Sequence, residues 1–508
     1  MFSGYLRNIQ ALCSQLNIPF IGERRELEKK VVPAAWDKWG TDTGNHLFGA
    51  FSFAVLDETT GLLYCVRDQL GAEQLYYYVT SRGKLLYSSD IRTIRDDPEF
   101  VPLIDDEALQ TYVMFGYPVG EKTLYKGIRK LPAGSFLVSS GSSVSIHTYY
   151  FLRFSPQYDV AEERFCDLIE ETAVTLIEED RSLFRAASPV SFLSGGVDSS
   201  WLLSLCGAEE AIGVGYEESY ADETGYAAET AKKLGRRFQK KTVAPDEYFE
   251  SLPSLFKGLE LPLADASSTA FHLGCRDASN GHDLCYSGEG PDEFFAGYSL
   301  HRRANELALD GGPLHFGCFG LMSEEEAVRL LGYTKSRFNG GELVEKLYGE
   351  TAEDEHLSRI LDIDIRLFFE GDILFNLTRN AKATGLTVSA PFSDPRMLQL
   401  SSVIPSALKL KDGQGKYIFR KTAARRIPYE TAFREKIGFS VPVREWMQCE
   451  AVRSRIEAVI FSSQSARFFD QQLLHRRWRE FLSGSRSLWN MIYGVYAFLI
   501  WYDCCFTK

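Results

Sequence analysis

Residues 189–200 read PVSFLSGGVDSS, and this stretch decides the fold of the chain. An apolar run typical of a buried strand leads into a glycine-rich turn, and apolar residues continue beyond it as a helix. Such a turn lets the backbone approach an oxyanion closely and offers the free N–H groups of a helix N-terminus. Asp198 would repel a phosphate unless a Mg²⁺ ion lay between the two. The pattern predicts a phosphate and metal site; a turn capped by Asp or Ser is the simpler alternative.

A second glycine-rich loop, SGEGPDEFFAGY at residues 287–298, also follows a short β-like run. Between the two loops, residues 211–216 predict another strand and residues 223–234 a helix. Strands that alternate with helices in this way predict a doubly wound parallel sheet. Because loops at the carboxyl ends of parallel strands meet at one crevice, Asp292 is expected to join Asp198 around the same metal ion.

The two ends of the chain differ from this central part. Roughly the first 150 residues predict packed antiparallel sheets, because short alternating strands are separated by turns. These strands are predicted at 48–57, 62–68, 76–80, 85–89 and 133–150, the last interrupted by a turn at 141–143. Residues 160–183 predict a long helix, and the chain beyond about residue 320 is expected to be mostly helical. The fold class is therefore α/β and α+β, with domains at 1–152 and 160–508.

The composition of the chain argues against some classes of partner. The chain has 508 residues, and 56 lysines and arginines against 69 aspartates and glutamates give a net charge of −13 at pH 7. This balance argues against nucleic acid as a partner, because phosphate backbones need a basic face. No apolar run approaches the roughly 20 residues of a membrane span, so no membrane partner is expected; residues 489–501 are interpreted as a buried helix. The ten cysteines contain no CxxC pair and no signal peptide is evident, which indicates a cytoplasmic protein.

Taken together, the two loops resemble the synthetase domain of glutamine-dependent asparagine synthetases. This branch of the N-type ATP pyrophosphatases also includes β-lactam synthetases and lasso-peptide cyclases. Further blocks match the family in order along the chain, at 220–223, 259–265, 390–394, 416–420 and 434–439. Residues 48–68 and 131–134 resemble the family's N-terminal glutaminase domain, an Ntn-type antiparallel β sandwich. The resemblance covers most of the chain and is specific for the superfamily, not for the substrate.

This resemblance implies a two-step reaction that uses ATP and Mg²⁺. A substrate carboxylate attacks the α-phosphorus of ATP to give an acyl-adenylate and pyrophosphate, and an amine or ammonia then displaces AMP to form an amide. Lys436 would stabilise the developing charge, although a plain surface lysine is the alternative, and Glu289 would accept a proton from the amine. Asp198 and Asp292 would hold the metal. Pyrophosphate and adenosine contacts would come from Leu193, Ser194, Gly195, Gly196, Asp198, Ser199, Val214, Gly215 and Gly288.

The N-terminal region departs from the family pattern. A working glutaminase of this family begins with Cys at position 2, whose free α-amine assists the thiol, whereas this sequence has Phe2. Residues 2–8 resemble a segment that normally lies well inside the domain, and Cys13 is not terminal. We therefore expect a truncated glutaminase-like domain without glutamine hydrolysis.

The acceptor region departs as well. Thr387 and Ser389 stand where the family has a Glu and an Arg, and Leu261 stands where an acidic residue is common. Loss of the Arg argues against aspartate, because its second carboxylate needs a cationic partner. Arg379 and Lys382 could compensate, or could lie on a helix surface.

Three hypotheses about function follow from these observations. The first is an amide synthetase in specialised metabolite biosynthesis, acting on a small-molecule or peptide carboxylate with ammonia or an external amine. The second is intramolecular amide closure, which would need no glutaminase. The third is a non-catalytic scaffold or partner subunit. The intact loops that carry Asp198 and Asp292 argue against this hypothesis. Oligomeric state and pathway partners stay open.

Overall fold

The computed structural model describes residues 1–141, 143–185, 187–217, 221–309, 320–350, 355–435 and 440–507. The strands in these residues are β1 (Phe2–Leu6), β2 (Gly49–Asp57), β3 (Leu62–Arg67), β4 (Tyr76–Val79), β5 (Leu85–Ser88), β6 (Arg129–Lys130), β7 (Ser135–Ser139), β8 (Val144–Thr148), β9 (Pro189–Phe192), β10 (Glu210–Gly215), β11 (Arg237–Thr242), β12 (Leu284–Tyr286) and β13 (Thr387–Ser389).

The α-helices of the described residues are α1 (Ile9–Gln15), α2 (Arg24–Trp39), α3 (Thr43–His46), α4 (Ile91–Arg95), α5 (Asp106–Phe115), α6 (Glu162–Leu183), α7 (Val197–Cys206), α8 (Thr224–Lys233), α9 (Pro245–Leu259), α10 (Ala266–Ala278), α11 (Pro291–Phe294), α12 (Ser299–Leu309), α13 (Glu324–Leu330), α14 (Gly340–Glu350), α15 (His356–Asp364), α16 (Phe375–Thr384), α17 (Pro395–Ser402), α18 (Ser406–Lys409), α19 (Tyr417–Ala423), α20 (Tyr429–Phe433), α21 (Val443–Trp446), α22 (Glu450–Ile460), α23 (Gln471–Leu482) and α24 (Trp489–Trp501). A π-helical segment, Ile365–Leu374, joins α15 to α16.

Two antiparallel sheets form the N-terminal region, which confirms the strands predicted there. One has the order β1-β2-β3-β7-β8 and the other the order β5-β4-β6. The predicted turn at 141–143 includes Ser142, which lies outside the described residues. The division into domains at about residue 152 stays a prediction.

Helices α2 and α5 also belong to this region, and the sequence analysis did not predict them. In α2, Leu27, Val31 and Ala35 recur at helical spacing and are buried. In α5, the Asp105 side chain caps the first turn, and Gly116 ends the helix in the left-handed conformation at φ +83°. The apolar spacing of α2 and the capping residues of α5 are both present in the sequence, but the alternating pattern of the neighbouring strands dominated the interpretation.

The parallel sheet of the α/β region confirms the doubly wound prediction. Its order is β11-β10-β9-β12-β13, and all of its pairings are parallel. Sequence reasoning missed the two edge strands. Residues 237–242, which read RFQKKT, carry charges suited to an exposed edge rather than the apolar run of a central strand. Strand β13 is three residues long, and only its pairing with β12 defines it.

Helices dominate the chain after residue 320, as predicted. Helix α24 spans Trp489–Trp501, as the sequence interpretation expected, and most of its residues are buried. The Tyr112 hydroxyl of α5 donates a hydrogen bond to the carbonyl of Gly494 at 2.9 Å, so the C-terminal helices share a core with the N-terminal region. In the part of the chain that is described, helices that combine the length and the apolar character needed to cross a membrane are absent.

Buried ion pairs connect the N-terminal region to the α/β region. The Arg7 guanidinium, 3% exposed, lies 2.7 Å from Asp180 Oδ1 and 2.6 Å from Asp394 Oδ2, and both carboxylates are fully buried. It also donates to Ser389 Oγ at 3.3 Å. A separate contact joins Arg67 to Glu370 at 2.8 Å. Arg7, which directly follows β1, thus links the N-terminal region to the end of β13.

From the burial of Glu28 we predict that the free energy of unfolding depends on pH. It is 1% exposed in α2 and accepts a hydrogen bond from the backbone N–H of Leu6 at 3.1 Å. Burial raises the pKa of Glu28 from 4.5 to about 7. The folded protein therefore holds this proton more tightly than the unfolded chain, and stability falls as the pH rises from about 4.5 to about 7. Because Glu28→Gln cannot titrate, we expect it to raise the free energy of unfolding at pH 8 by about 2–3 kcal/mol.

Urea denaturation of both proteins at pH 4 and pH 8 measures this difference. The gain should vanish at pH 4, where wild-type Glu28 is protonated in both states. The control is Glu58→Gln, at an exposed position, which should leave stability unchanged at both pH values. An equal gain at both pH values would show that packing rather than ionisation causes the effect.

Candidate functional site

The first glycine-rich loop links β9 to the N-terminus of α7. Gly195 has φ +76°, and a Cβ there would lie 2.9 Å from the backbone nitrogen of Ala227, so both the turn and the close approach require glycine. The backbone N–H of Ser194 donates to Ser199 Oγ at 3.2 Å, and the two hydroxyl oxygens are also 3.2 Å apart. The loop therefore presents two hydroxyl groups and a helix N-terminus on one side.

The second loop packs directly against the first. A Cβ on Gly288 would lie 2.9 Å from the backbone nitrogen of Ser199 and 3.1 Å from the carbonyl carbon of Asp198. Only glycine permits this contact, which brings the ends of β9 and β12 together as the parallel-sheet argument expects.

One buried lysine joins the two aspartates of these loops. Lys416 Nζ lies 2.7 Å from Asp198 Oδ2 and 2.7 Å from Asp292 Oδ1, and the lysine side chain is 1% exposed. Its backbone N–H donates to the carbonyl of Phe295 at 2.9 Å, which anchors Lys416 beside the second loop. The sequence placed Lys416 in a family block but assigned it no role.

The two carboxylates fit the requirements of a Mg²⁺ ion. They already share one cation, Lys416, and Asp198 Oδ1 is buried without a hydrogen-bond partner. Mg²⁺ is commonly held by one or two carboxylates and completes its shell with phosphate oxygens and water. The described ranges contain no cluster of three or more His, Cys, Asp or Glu side chains arranged for a metal.

A cavity of about 310 Å³ opens above both loops. Of the residues predicted as site residues, Leu193, Ser194, Asp198, Ser199, Val214, Gly288, Glu289 and Asp292 line it. Phe192, Ile212 and Phe271 add apolar wall beside Leu193 and Val214, which suits the flat ring of a base.

The remaining predicted residues lie around this cavity or cannot be described. Gly195 and Gly196 lie within the first loop, and Gly196 precedes α7. Gly215 ends β10, where a Cβ would come within 2.8 Å of Asp222 Oδ1. Lys436 lies outside the described residues, as does Tyr220 of another family block. The described residues on the two sides of Lys436 are close to the cavity: Arg434 pairs with the lining residue Glu223 at 2.8 Å, and Ser440 lines the wall.

The cavity wall carries several carboxyl groups. Asp265 and Glu289 line it, and Glu293 follows Asp292 on α11. Burial, with a contribution from Asp292, raises the pKa of Glu293 to about 8. Among the described lining residues there is no lysine or arginine. Sequence reasoning missed Asp265 and Glu293 as site residues, although both lie inside blocks that it quoted.

Neither Arg379 nor Lys382, for which compensation and a helix-surface position were both left open, lines the cavity. Arg379 is 1% exposed, donates to the carbonyl of Ser89 at 2.7 Å and pairs with Glu260 at 3.3 Å, while Lys382 is exposed. At Ser389, where the family pattern has an Arg, the guanidinium of Arg7 arrives instead from the other end of the chain.

The parallel sheet with two joined glycine-rich loops and paired carboxylates is an arrangement suited to binding phosphate groups and a metal ion. The family model described as asparagine synthase matches residues 181–503, and the one described as glutamine amidotransferase domain matches residues 1–150. This chain therefore belongs to the asparagine synthase family.

Curated relatives agree with this assignment. Asparagine synthetase [glutamine-hydrolyzing] 1 of Bacillus subtilis (strain 168) is 27% identical over 555 residues, which cover 100% of this chain and 86% of the relative. A putative asparagine synthetase [glutamine-hydrolyzing] of Mycobacterium tuberculosis (strain ATCC 25618 / H37Rv) is 27% identical over 93% of this chain and 79% of its own length. Amidase chyE of Penicillium rubens is 26% identical over 58% of this chain and 49% of its own length.

Proposed function

We propose that this chain forms an amide bond by adenylating a carboxylate with ATP, releasing pyrophosphate, and transferring the acyl group to ammonia or an amine with release of AMP. We further propose that it does so without hydrolysing glutamine, in specialised metabolite biosynthesis. The observation that supports the proposal best is the contact between the two glycine-rich loops, which places Asp198 and Asp292 on the same buried ammonium.

The described residues suit the first step of this reaction. The hydroxyls of Ser194 and Ser199, with the N-terminus of α7, offer donors for phosphate oxygens. Asp198 and Asp292 would hold Mg²⁺, which when bound neutralises phosphate charge and favours departure of pyrophosphate. Lys416 keeps both carboxylates in place, and its ammonium would add positive charge near phosphates bound there.

Two further residues would serve the second step. Glu289 lines the cavity, and its backbone carbonyl accepts a hydrogen bond from Ser393 Oγ at 2.8 Å, which fixes the loop that carries it. This position suits a group that accepts a proton from the incoming amine. For Lys436, the proximity of Arg434 and Ser440 to the cavity supports a role in stabilising negative charge on the acyl intermediate.

The cysteines of the N-terminal region support the absence of glutamine hydrolysis. Residues 1–150 contain Cys13 and Cys65, and both are buried. Burial raises the pKa of the Cys65 thiol to about 12 and also raises that of Cys13. A thiol that stays protonated and buried is a poor nucleophile, because the thiolate is the reactive form. Because two of the matched relatives are named glutamine-hydrolyzing, the proposed absence of glutamine hydrolysis in this chain needs a direct test.

The test is pyrophosphate and AMP formation from ATP by the purified chain with a panel of carboxylic acids, supplied with ammonium or with glutamine. We expect at least one acid to give equal amounts of pyrophosphate and AMP with ammonium. Glutamine should not replace ammonium, and glutamate should not accumulate. Release of glutamate would contradict the proposed loss of glutaminase activity, and absence of pyrophosphate with every acid would contradict the proposed synthetase.

A further inference from the structure

A short segment, residues 389–394, supports the second glycine-rich loop from below. It runs from the end of β13 to the residue before α17. At one end of the segment, the carbonyl of Ser389 accepts the backbone N–H of Ser287 at 2.9 Å. At the other end, Ser393 Oγ donates to the carbonyl of Glu289 at 2.8 Å. Two hydrogen bonds therefore join the loop to this segment.

The centre of the loop also rests on the segment. Gly290 has φ +110°, and a Cβ there would lie 2.8 Å from the carbonyl oxygen of Phe392, so the two backbones are in direct contact. The Phe392 ring is fully buried and stacks on Trp201 of α7 at a centroid distance of 5.2 Å. Because interiors are closely packed, the loop cannot shift unless the segment shifts with it.

Arg7 joins this segment to the N-terminal region through all three nitrogen atoms of its guanidinium. Nη1 lies 2.6 Å from Asp394 Oδ2, and Nη2 donates to Ser389 Oγ at 3.3 Å. Nε lies 2.7 Å from Asp180 Oδ1 on α6, and the Ser389 hydroxyl donates to the other oxygen of Asp180. The planar fork thus holds both ends of the segment at once, which a single ammonium cannot do.

A second arginine near Asp394 cannot replace this connection. Arg396 lies 2.8 Å from Asp394 Oδ1, and its backbone N–H donates to the same oxygen at 3.0 Å, which caps the start of α17. It therefore stabilises the local turn, two residues along the chain from Asp394. Arg7 instead follows β1 and brings the N-terminal region into the same buried cluster, where water screens the charges little.

We infer that Arg7 is a positioning residue for the synthetase site: by holding residues 389–394 it fixes the loop that carries Glu289 and Asp292. Arg7 does not line the cavity, so it acts through these neighbours. The N-terminal region, which we propose does not hydrolyse glutamine, is then still required for amide formation. This inference rests on the proposed function and gives its site a support outside the α/β region.

The variant Arg7→Lys tests the support while it keeps a positive charge beside the buried carboxylates. Its ammonium cannot contact Asp180, Asp394 and Ser389 together. We expect kcat for amide formation with ammonium to fall about 10-fold, because Glu289 is displaced. The KM for ATP should change less than about two-fold, since the proposed nucleotide contacts lie mainly on the first loop and β10. Rates are expressed per folded site, counted from the stoichiometry of ATP binding.

Hydrogen–deuterium exchange gives a readout that does not depend on activity. In Arg7→Lys, the backbone amides of 287–293 and 389–394 should exchange at least about five-fold faster, whereas those of β10 should be unchanged. The control is Leu27→Ala, which opens a cavity in the buried face of α2 and should lower the melting temperature. It should leave both the loop exchange and the rate per folded site at wild-type values.

Two further variants make the test independent of how Arg7→Lys folds. If that protein is unstable, Arg7→Gln combined with Asp180→Asn removes one charge of each sign and takes its place. Ser393→Ala removes the hydrogen bond to the carbonyl of Glu289. Because both changes act through the same segment, combining Ser393→Ala with the Arg7 variant should give a rate within about two-fold of the slower parent.

The exchange and rate measurements separate this inference from the proposed function. Faster exchange confined to the loop and the segment, in a protein that forms amide from no acid, would support the positioning by Arg7 and contradict the synthetase. Unchanged loop exchange in the Arg7 variant would overturn the inference and leave the synthetase standing. A wild-type rate per folded site would also overturn it, as would multiplied losses in the combined variant or an equal loss of rate in Leu27→Ala.

Discussion

Replacing Asp198 by Asn should lower the rate of pyrophosphate formation about 100- to 1000-fold, the largest effect on activity that we expect from one substitution. Asp198 is 5% exposed, and its carboxylate shares Lys416 with Asp292. The Asn side chain keeps the size but loses the charge, so one proposed Mg²⁺ ligand is lost and Lys416 turns toward Asp292 alone. The rate is measured at saturating ATP and Mg²⁺ with the best acid of the panel.

A matched control separates chemistry from simple loss of an ion pair. Glu162 Oε1 lies 2.7 Å from Lys421 Nζ, the same separation as in the Asp198 pair, but at the start of α6 and away from the cavity. Glu162→Gln should therefore keep more than half of the activity, since partly exposed pairs contribute little. If Asp198→Asn retained a comparable rate, the proposed metal and phosphate site would be wrong.

The largest effect on stability is expected from Arg7→Met, which should lower the free energy of unfolding by about 3–5 kcal/mol. Removing the guanidinium leaves Asp180 and Asp394 buried close together without their shared cation. Repulsion between uncompensated buried charges is more costly than the loss of the contact itself. Urea denaturation at pH 7 measures the change.

Two comparisons give this experiment its specificity. Arg237→Met removes an exposed pair, in which Arg237 is 72% exposed and lies 3.0 Å from Glu210, and should cost less than about 1 kcal/mol. Adding Asp180→Asn to Arg7→Met should recover part of the loss, because one unpaired charge disappears. Additive losses in the double variant would show that Arg7 acts by packing and not through the buried charges.

Much of the α/β fold can be predicted because its signals are local. The strand, glycine turn and helix at 189–206 occupy adjacent residues, and the second loop repeats the signal after β12. Parallel pairing then follows from the alternation of strands and helices, and it brings both loops to one crevice. The charged edge strand β11 escaped prediction because strand propensity there depends on its neighbour in the sheet.

The sequence by itself determined the family, the parallel sheet and the two loops with Asp198 and Asp292, since glycine positions and apolar periodicity act over a few residues. Only the tertiary structure decided which distant charges meet: Lys416 reaches Asp198 across 218 residues of chain, and Arg7 reaches Asp394 across 387. It alone decided that both carboxyl oxygens of the buried Asp372 are left without a hydrogen-bond partner. The physical reason is that charge pairing and burial depend on packing between elements, for which local sequence carries no periodic signal.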